Sequence, residues 1–223
     1  MQERPNVLFI FTDQQRADTM RAYGNNRIDV PNLNRLCDEA VVFDRAYVSQ
    51  SVCTPSRSTI MTGLYPHTNG CTHNNIPLTA EWRTLVELGD FREYRKAYMG
   101  KWHLGDEVFC QHGFDEWISC EDGYYPHFSE GRDQGTRSDY YNWVRQHGIE
   151  PTVSVQDFEG LRRFFAQLPE ELSKPQFLAQ NATRFLRENA ETPFILYVNF
   201  LEPHSPFTGP RDSQYDPAEI PLP

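Results

Sequence analysis

The stretch "SKPQFLAQNATRFLRENAETPFILYVNFL", residues 173 to 201, decides the fold class. Ser173, with Gln176 three residues later, predicts the capped start of a helix. The apolar residues that follow recur at helical spacing and are Phe177, Leu178, Ala182, Phe185 and Leu186. The run "PFILYVNFL" (193 to 201) then predicts a fully apolar strand. A helix leading into such a strand indicates an α/β domain with a mostly parallel sheet flanked by helices.

Other segments upstream repeat this alternation of strands and helices. "NVLFIF" (6 to 11) predicts a strand buried on both faces of a parallel sheet. "VPNLNRLCDEA" (30 to 40) predicts a short helix, and "VVFDRAYV" (41 to 48) and "KAYMGKW" (96 to 102) predict further strands. Between about 106 and 172 the pattern weakens, which indicates an insertion or a long functional loop.

Composition excludes several classes of function. A net charge of -10 argues against a nucleic-acid-binding surface, and no stretch is long and apolar enough to span a membrane. The five cysteines are odd in number and have no zinc-site spacing. We therefore expect no nucleic-acid or membrane partner and a cytoplasmic location, or a periplasmic or secreted one if a leader was removed. The sequence leaves the oligomeric state open.

Polar side chains follow three of the predicted strands. They are Asp13 and Gln14, Lys101 and His103, and Glu202 and His204. Because ligands bind at the carboxyl edge of open parallel sheets, we expect these pairs to meet there. Each has a structural alternative: Asp13 could cap a helix, His103 could be a hydrogen-bonded core histidine, and "EPH" (202 to 204) could simply be a turn.

The segment "SVCTPSRSTIMTG" (51 to 63) adds a thiol to this edge. Pro55 favours a first helical turn, which puts Cys53 at or just before a helix N-terminus, where anions bind. Arg57 lies one turn further on and could hold an anionic oxygen. These residues alone suggest a cysteine nucleophile beside an anion site.

The same residues carry a family resemblance. "CTPSRSTIMTG" resembles the signature of the type I sulfatases, in which C-x-P-S-R directs oxidation of the cysteine to formylglycine. "NVLFIFTDQQ", "GKWHLG" and "EPHSPF" resemble further segments of that family, in the family's order. The resemblance implies an alkaline-phosphatase-like fold, with residues 1 to 223 forming the N-terminal part of a catalytic domain that is incomplete at its C-terminus.

The resemblance also implies a cofactor and a modified residue. Asp13, Gln14 and Cys53 would be ligands of one calcium ion, with Cys53 converted to formylglycine by a formylglycine-generating maturation enzyme. Gln14 stands where many relatives have a second aspartate. The chain stops before the family's downstream metal ligands and a further lysine, so we expect the 223-residue fragment alone to be inactive.

The remaining roles are implied in the same way. Arg57 and Lys101 would hold the aldehyde hydrate and the sulfate oxygens. His103 would position or deprotonate the hydrate, and His204 would contact the sulfate and the leaving-group oxygen. Imidazoles suit proton transfer near neutral pH.

The resulting hypothesis is hydrolysis of sulfate monoesters, with a sulfated carbohydrate as substrate. One alternative is a phosphonate monoester or phosphodiester hydrolase that uses the same site. Another is a non-catalytic anion- or glycan-binding protein in which Cys53 stays a thiol. An aromatic-rich run could line a sugar site or pack a core, and it contains Trp117, Tyr124, Tyr125, Tyr140, Tyr141 and Trp143.

Overall fold

A computed structural model describes residues 4 to 124 and 129 to 220 of the chain. Its centre is a sheet of four parallel strands in the order β1-β4-β2-β3. The strands are β1 (Val7–Phe11), β2 (Arg95–Gly100), β3 (Glu116–Ile118) and β4 (Phe194–Asn199). The parallel sheet confirms the fold class that the sequence predicts.

The strand register brings the predicted site residues to one edge. Phe11 of β1 and Gly100 of β2 are both paired with Asn199 of β4. All three strands therefore end at the same level, and the segments that follow them begin side by side. β4 is buried along its whole length, as expected for a strand between two neighbours.

The prediction that the first strand is buried on both faces is wrong. Val7, Leu8 and Ile10 are 38%, 46% and 56% exposed. β1 is the end strand of the sheet in the described residues and pairs with β4 alone. Its apolar composition is typical of a strand whose faces are covered, but the described residues pack too few side chains against β1 to bury it.

Helices surround the sheet. The α-helices are α1 (Pro31–Glu39), α2 (Cys53–Thr62), α3 (Pro66–Asn69), α4 (Leu85–Leu88), α5 (Asp139–Gln146), α6 (Phe158–Ala166) and α7 (Lys174–Glu188). Short 3-10 helices are Ala17–Thr19, Arg21–Tyr23, Glu170–Leu172 and Pro217–Glu219. Within the described ranges, none of the helices is long and apolar enough to cross a membrane.

α7 confirms the predicted helix. The Ser173 hydroxyl accepts a hydrogen bond from the Gln176 N–H and so caps the N-terminus. Phe177, Leu178 and Phe185 are buried on the face that packs against the sheet, and Ala182 and Leu186 lie beside them. This face supplies much of the apolar burial that holds the domain together.

The predicted strand at 41 to 48 does not form. The segment runs without regular structure, and Val41, Phe43 and Tyr47 are 82%, 71% and 87% exposed. β-branched and aromatic residues favour a strand only where a neighbouring strand and a covering layer are present. The described sheet offers this segment neither.

The segment from 106 to 172 is more ordered than its sequence pattern indicates. It contributes β3, α5 and α6, with Ser138 and Asp157 as side-chain caps of the two helices. Tyr140 and Phe165 belong to the main core. The aromatic-rich run packs mainly within the domain through Trp117, Tyr124, Tyr140, Tyr141 and Trp143, whereas Tyr125 lies outside the described residues.

Candidate active site

A cavity of about 520 Å³ opens at the carboxyl edge of the sheet. Its walls come from the segment after β1, the start of α2 and the segment after β4. The polar lining residues include Asp13, Gln14, Cys53, Arg57 and His204. The edge predicted from the sequence is thus where these side chains meet.

Asp13 is the hydrogen-bond acceptor that Arg57 and Lys101 share. Its side chain is buried, and its Oδ2 accepts hydrogen bonds from Arg57 Nη2 at 2.9 Å and from Lys101 Nζ at 2.8 Å. Burial opposes ionisation, but the charges of Lys101 and Arg57 outweigh it and lower the pKa of Asp13 to about 2. Asp13 is therefore a carboxylate at physiological pH.

Cys53 is the first residue of α2, as the position of Pro55 predicts. Its Sγ lies 3.8 Å from Asp13 Oδ1 and 3.8 Å from Lys101 Nζ. The next N–H of the helix, that of Thr54, donates to Asn74 Oδ1 at 3.0 Å. The thiol thus stands at a helix N-terminus, beside a cation and facing the cavity.

Arg57 and Lys101 give the site a surplus of positive charge. They are 4% and 0% exposed, and Asp13 is the carboxylate that both contact. Arg57 Nη1 also donates to the Lys101 carbonyl at 2.7 Å. Two buried cations around one carboxylate leave a net positive charge, which suits a bound anion.

His204 reaches the same point from the segment after β4. The ligand atoms of Asp13, Cys53 and His204 lie within 4.8 Å of one another. Its Nδ1 lies 2.8 Å from the Ser205 carbonyl, and because a carbonyl only accepts, this nitrogen carries the proton in that pairing. Nε2 is then the free acceptor of the neutral ring, and burial lowers the pKa of His204.

His103 is connected to the site by hydrogen bonds to Asn75 and Thr54. Its Nε2 pairs with Asn75 Oδ1 at 3.0 Å, and its carbonyl accepts from Thr54 Oγ1 at 2.9 Å. Its ring packs on Tyr124 with 4.5 Å between centroids. Burial, with the charges of Lys101 and Arg57, lowers the pKa of His103 to about 2, so the ring is neutral. In the described residues its buried Nδ1 has no hydrogen-bond partner.

Gln14 lines the cavity, although its side chain is exposed. Its backbone is left-handed, with φ of 62°, an uncommon conformation that non-glycine residues adopt at many functional sites. A hard cation prefers oxygen donors, and the Asp13 carboxylate and the Gln14 amide are of that kind. The donor chemistry therefore fits a calcium ion, and a His204 ring nitrogen also lies within 4.8 Å of the ligand atoms of Asp13 and Cys53.

Sequence reasoning missed three residues that hold the site together, which are Thr54, Asn75 and Glu107. It named Tyr124 only as part of the aromatic-rich run and did not predict its contact with His103. Asn75 has a left-handed backbone, with φ of 69°, which asparagine tolerates better than most residues. The adjacent asparagines at 74 and 75 could have indicated such a turn, whereas the contacts of Glu107 depend on tertiary packing alone.

Comparison with known proteins identifies the family. The sulfatase family model matches residues 5 to 219. An N-acetylglucosamine-6-O-sulfatase of Bacteroides thetaiotaomicron is 37% identical over 115 residues, which are 52% of this chain and 20% of that protein. An ulvan-active sulfatase of Formosa agariphila is 28% identical over 212 residues, covering 91% of this chain and 36% of that protein.

Solved structures show the same architecture. A phosphonate monoester hydrolase of Agrobacterium radiobacter aligns with a TM-score of 0.72 and 23% identity, over 98% of this chain and 45% of that one. A protein solved in complex with its substrate D-glucosamine-2-N,6-O-disulfate aligns with a TM-score of 0.62 and 28% identity, over 91% and 35%. The chain spans less than half the length of each of these four relatives. With its sheet edge, its Cys53 motif and a family match along nearly its whole length, this chain belongs to the sulfatase family and has the alkaline-phosphatase-like fold.

Proposed function

We propose that the full-length protein hydrolyses sulfate monoesters of a carbohydrate through a formylglycine formed from Cys53. The observation that carries the proposal is the position of Cys53 at the start of α2, between Asp13 and Lys101 and facing the cavity. A sulfate monoester is anionic and a poor electrophile. Its hydrolysis therefore needs neutralising charge, a positioned nucleophile and a proton donor.

Arg57 and Lys101 would neutralise the sulfate oxygens. Both are fixed before substrate arrives, because Asp13 and the Lys101 carbonyl hold them. Preorganised donors of this kind pay no reorganisation cost at the moment of reaction. Their net positive charge favours the sulfate over a neutral ester.

Formylglycine hydrate would supply two hydroxyls on one carbon, one to form the new bond to sulfur and the other to expel sulfate afterwards. His103 would position the hydrate through its Nδ1, which is free of protein partners in the described residues, because a ring whose pKa is lowered to about 2 is a weak proton acceptor. His204 would contact the sulfate and the departing sugar oxygen, and it would donate a proton to that oxygen from the imidazolium form, in which Nε2 is protonated.

Calcium would be held by Asp13, Gln14 and the modified Cys53. When bound it would stabilise negative charge on oxygen. The Asp13 oxygen available to it is Oδ1, because Oδ2 already accepts from Arg57 and Lys101. Calcium takes about six to eight oxygen ligands, so the described residues would supply only part of its shell.

A carbohydrate substrate is supported by a second cavity of about 880 Å³, which His204 shares with the first. Phe207, 78% exposed, stands on its wall and offers an apolar face to a sugar ring. The named relatives that act on N-acetylglucosamine 6-O-sulfate and ulvan point to the same substrate class.

Two other functions use the same residues. A phosphonate monoester or phosphodiester hydrolase would bind a tetrahedral anion of similar shape, and a phosphonate monoester hydrolase has the same fold. A non-catalytic anion- or glycan-binding protein would retain the thiol of Cys53. These alternatives differ from the sulfatase in turnover and in the chemical state of Cys53.

The proposal is tested on the full-length protein, produced together with a formylglycine-generating enzyme, which is the maturation partner that it requires. Mass spectrometry of the peptide containing Cys53 should show the aldehyde or its hydrate. The protein should turn over nitrophenyl sulfate and a glycan sulfate faster than the matched phosphonate ester. Activity from protein whose Cys53 is entirely alkylatable thiol would exclude the mechanism, and faster phosphonate turnover would select the alternative hydrolase.

A further inference from the structure

The turn between Lys101 and Leu104 places His103 in a strained conformation. His103 has φ of 54°, in the left-handed region, which residues with a Cβ adopt only rarely. Such a conformation persists only where surrounding groups hold it. The contacts that hold this turn therefore decide where the His103 ring lies.

The carboxylate of Glu107 holds the turn by two main-chain hydrogen bonds. Its Oε2 accepts from the Trp102 N–H at 2.8 Å, and its Oε1 accepts from the His103 N–H at 2.6 Å. Successive N–H groups beside a left-handed residue form a concave anion site, which the carboxylate fills. Glu107 is 3% exposed, so the backbone amides replace water as its donors.

The other side of the turn is held by the helix that carries Cys53. Thr54 Oγ1 donates to the His103 carbonyl at 2.9 Å. Lys101 has anchors of its own, since its N–H donates to the Asn199 carbonyl and its carbonyl accepts from Arg57 and Tyr98. Glu107 and Thr54 thus act on His103, whereas the position of Lys101 depends on other groups.

We propose that Glu107 is a positioning residue that fixes His103 relative to Cys53. The effect on catalysis rests on the proposed function. Substrate anion binding relies on Arg57 and Lys101, which Glu107 does not hold. Loss of Glu107 should therefore lower kcat while leaving KM nearly unchanged.

The test compares Glu107→Gln with Asp122→Asn in the full-length protein. Asp122 is a matched control, because it is 8% exposed and accepts hydrogen bonds from the Ser138 N–H and hydroxyl, at the start of α5. Glu107→Gln should lower kcat about 10- to 100-fold, with KM within about threefold, because supporting groups have effects of this size. Asp122→Asn should change kcat by less than about twofold.

Amide hydrogen exchange gives a readout that needs no turnover. In Glu107→Gln the Trp102 and His103 amides should exchange at least about tenfold faster than in the wild type, and Asp122→Asn should leave them unchanged. If the wild type hydrolyses neither sulfate nor phosphonate esters, the proposed function fails and exchange alone decides the role of Glu107. Unchanged amide exchange in Glu107→Gln would overturn the proposal. If the wild type is active, a kcat of Glu107→Gln equal to that of Asp122→Asn would also overturn it.

Thr54→Val covers the case in which Glu107→Gln does not fold. Valine keeps the shape of threonine but loses the hydroxyl that donates to the His103 carbonyl. It should give the same signature, with lower kcat and KM within about threefold of the wild type. A variant that raises KM and leaves kcat unchanged would overturn the role assigned to this turn.

Discussion

Two buried clusters in this chain have the same composition and different surroundings. Each contains one carboxylate, one arginine and one lysine. The edge cluster is Asp13, Arg57 and Lys101, and the core cluster is Glu121, Arg162 and Lys174. In both, every member is less than 10% exposed. Composition and burial therefore do not distinguish a candidate active site from a structural ion-pair network.

The two clusters differ in which oxygens of the carboxylate accept hydrogen bonds from the cations. In the core cluster Glu121 Oε2 accepts from Arg162 Nε at 3.0 Å and Nη2 at 2.6 Å, and Oε1 accepts from Lys174. In the edge cluster one oxygen of Asp13 accepts from both cations, and the other faces Cys53. The edge cluster thus has a carboxylate oxygen that neither cation contacts and that lies beside the Cys53 thiol. Both clusters border a cavity, because Arg162 and Lys174 line the one of about 880 Å³.

Glu121→Ala should have the largest effect on stability. Arg162 and Lys174 would remain buried without their carboxylate, and an uncompensated buried charge costs about 3–5 kcal/mol. Urea unfolding should show a loss of that size. Asp13→Asn should lose less, because asparagine keeps a side-chain oxygen that can accept from Arg57 and Lys101.

A triple variant provides the control for this comparison. Replacing Glu121, Arg162 and Lys174 together by methionine removes the charges along with their partners, so stability should recover relative to Glu121→Ala. A loss below about 1 kcal/mol in Glu121→Ala would mean that water reaches the core cluster. The two clusters would then be equivalent in solvation.

Lys101→Met should have the next largest effect, on catalysis. Removing one preorganised donor from a site of developing negative charge costs about 10²- to 10³-fold in kcat. Lys174→Met is the matched control, because it removes a lysine of similar burial from the core cluster. Because Lys174 lines the cavity proposed for the sugar, both variants are assayed on nitrophenyl sulfate. Lys174→Met should lower stability and leave kcat per folded molecule with that substrate within about twofold. Equal kcat losses in both would remove the functional distinction between the clusters.

The sequence predicts the edge cluster well and the core cluster not at all. Asp13 and Lys101 follow strands, and Arg57 follows Cys53 by one helical turn, so local pattern and parallel topology suffice to bring them together. Glu121 lies in a segment of weak pattern, and its partners come from α6 and α7. Only the packing of three distant segments brings those charges together.

The dependence on distant segments also explains where the fold predicted from the sequence is wrong. α7 and β4 have strong periodicity or uniform apolarity and were predictable. The segment at 41 to 48 has strand-like residues but no neighbouring strand, and the burial of β1 depends on groups that the described chain does not place beside it. Local composition gives the tendency to form a strand, whereas pairing and burial are properties of the whole domain.

A third buried carboxylate, that of Glu107, differs from Asp13 and Glu121 in how it makes stability depend on pH. Burial raises the pKa of Glu107 from 4.5 to about 7, because main-chain N–H groups compensate it less than the cations compensate Glu121. The native state then holds a proton that the unfolded state releases between about pH 4.5 and 7. The free energy of unfolding should therefore fall as pH rises through that range, by up to about 3 kcal/mol.

Glu107→Gln isolates this contribution. Urea unfolding at pH 5 and pH 8 gives the free energy of unfolding of the wild type and of the variant at each pH. Between pH 5 and pH 8 this free energy should fall more in the wild type than in Glu107→Gln. Glutamine does not titrate, so effects of other groups cancel in the comparison. Parallel pH dependences would show that Glu107 ionises normally and that its two hydrogen bonds compensate its burial in full.

Tyr124→Phe should have the smallest effect, and it probes the link between the clusters. The Tyr124 ring packs on His103, and its hydroxyl accepts from Arg162 Nη2 at 2.8 Å. Phenylalanine keeps the ring, and Arg162 keeps its bonds to Glu121, so stability should fall by about 1 kcal/mol and kcat should stay within about twofold. Urea unfolding and steady-state kinetics measure the two effects. A tenfold loss of kcat with unchanged stability would instead show that the hydroxyl transmits the state of the core cluster to His103, and the two clusters would then act as one unit.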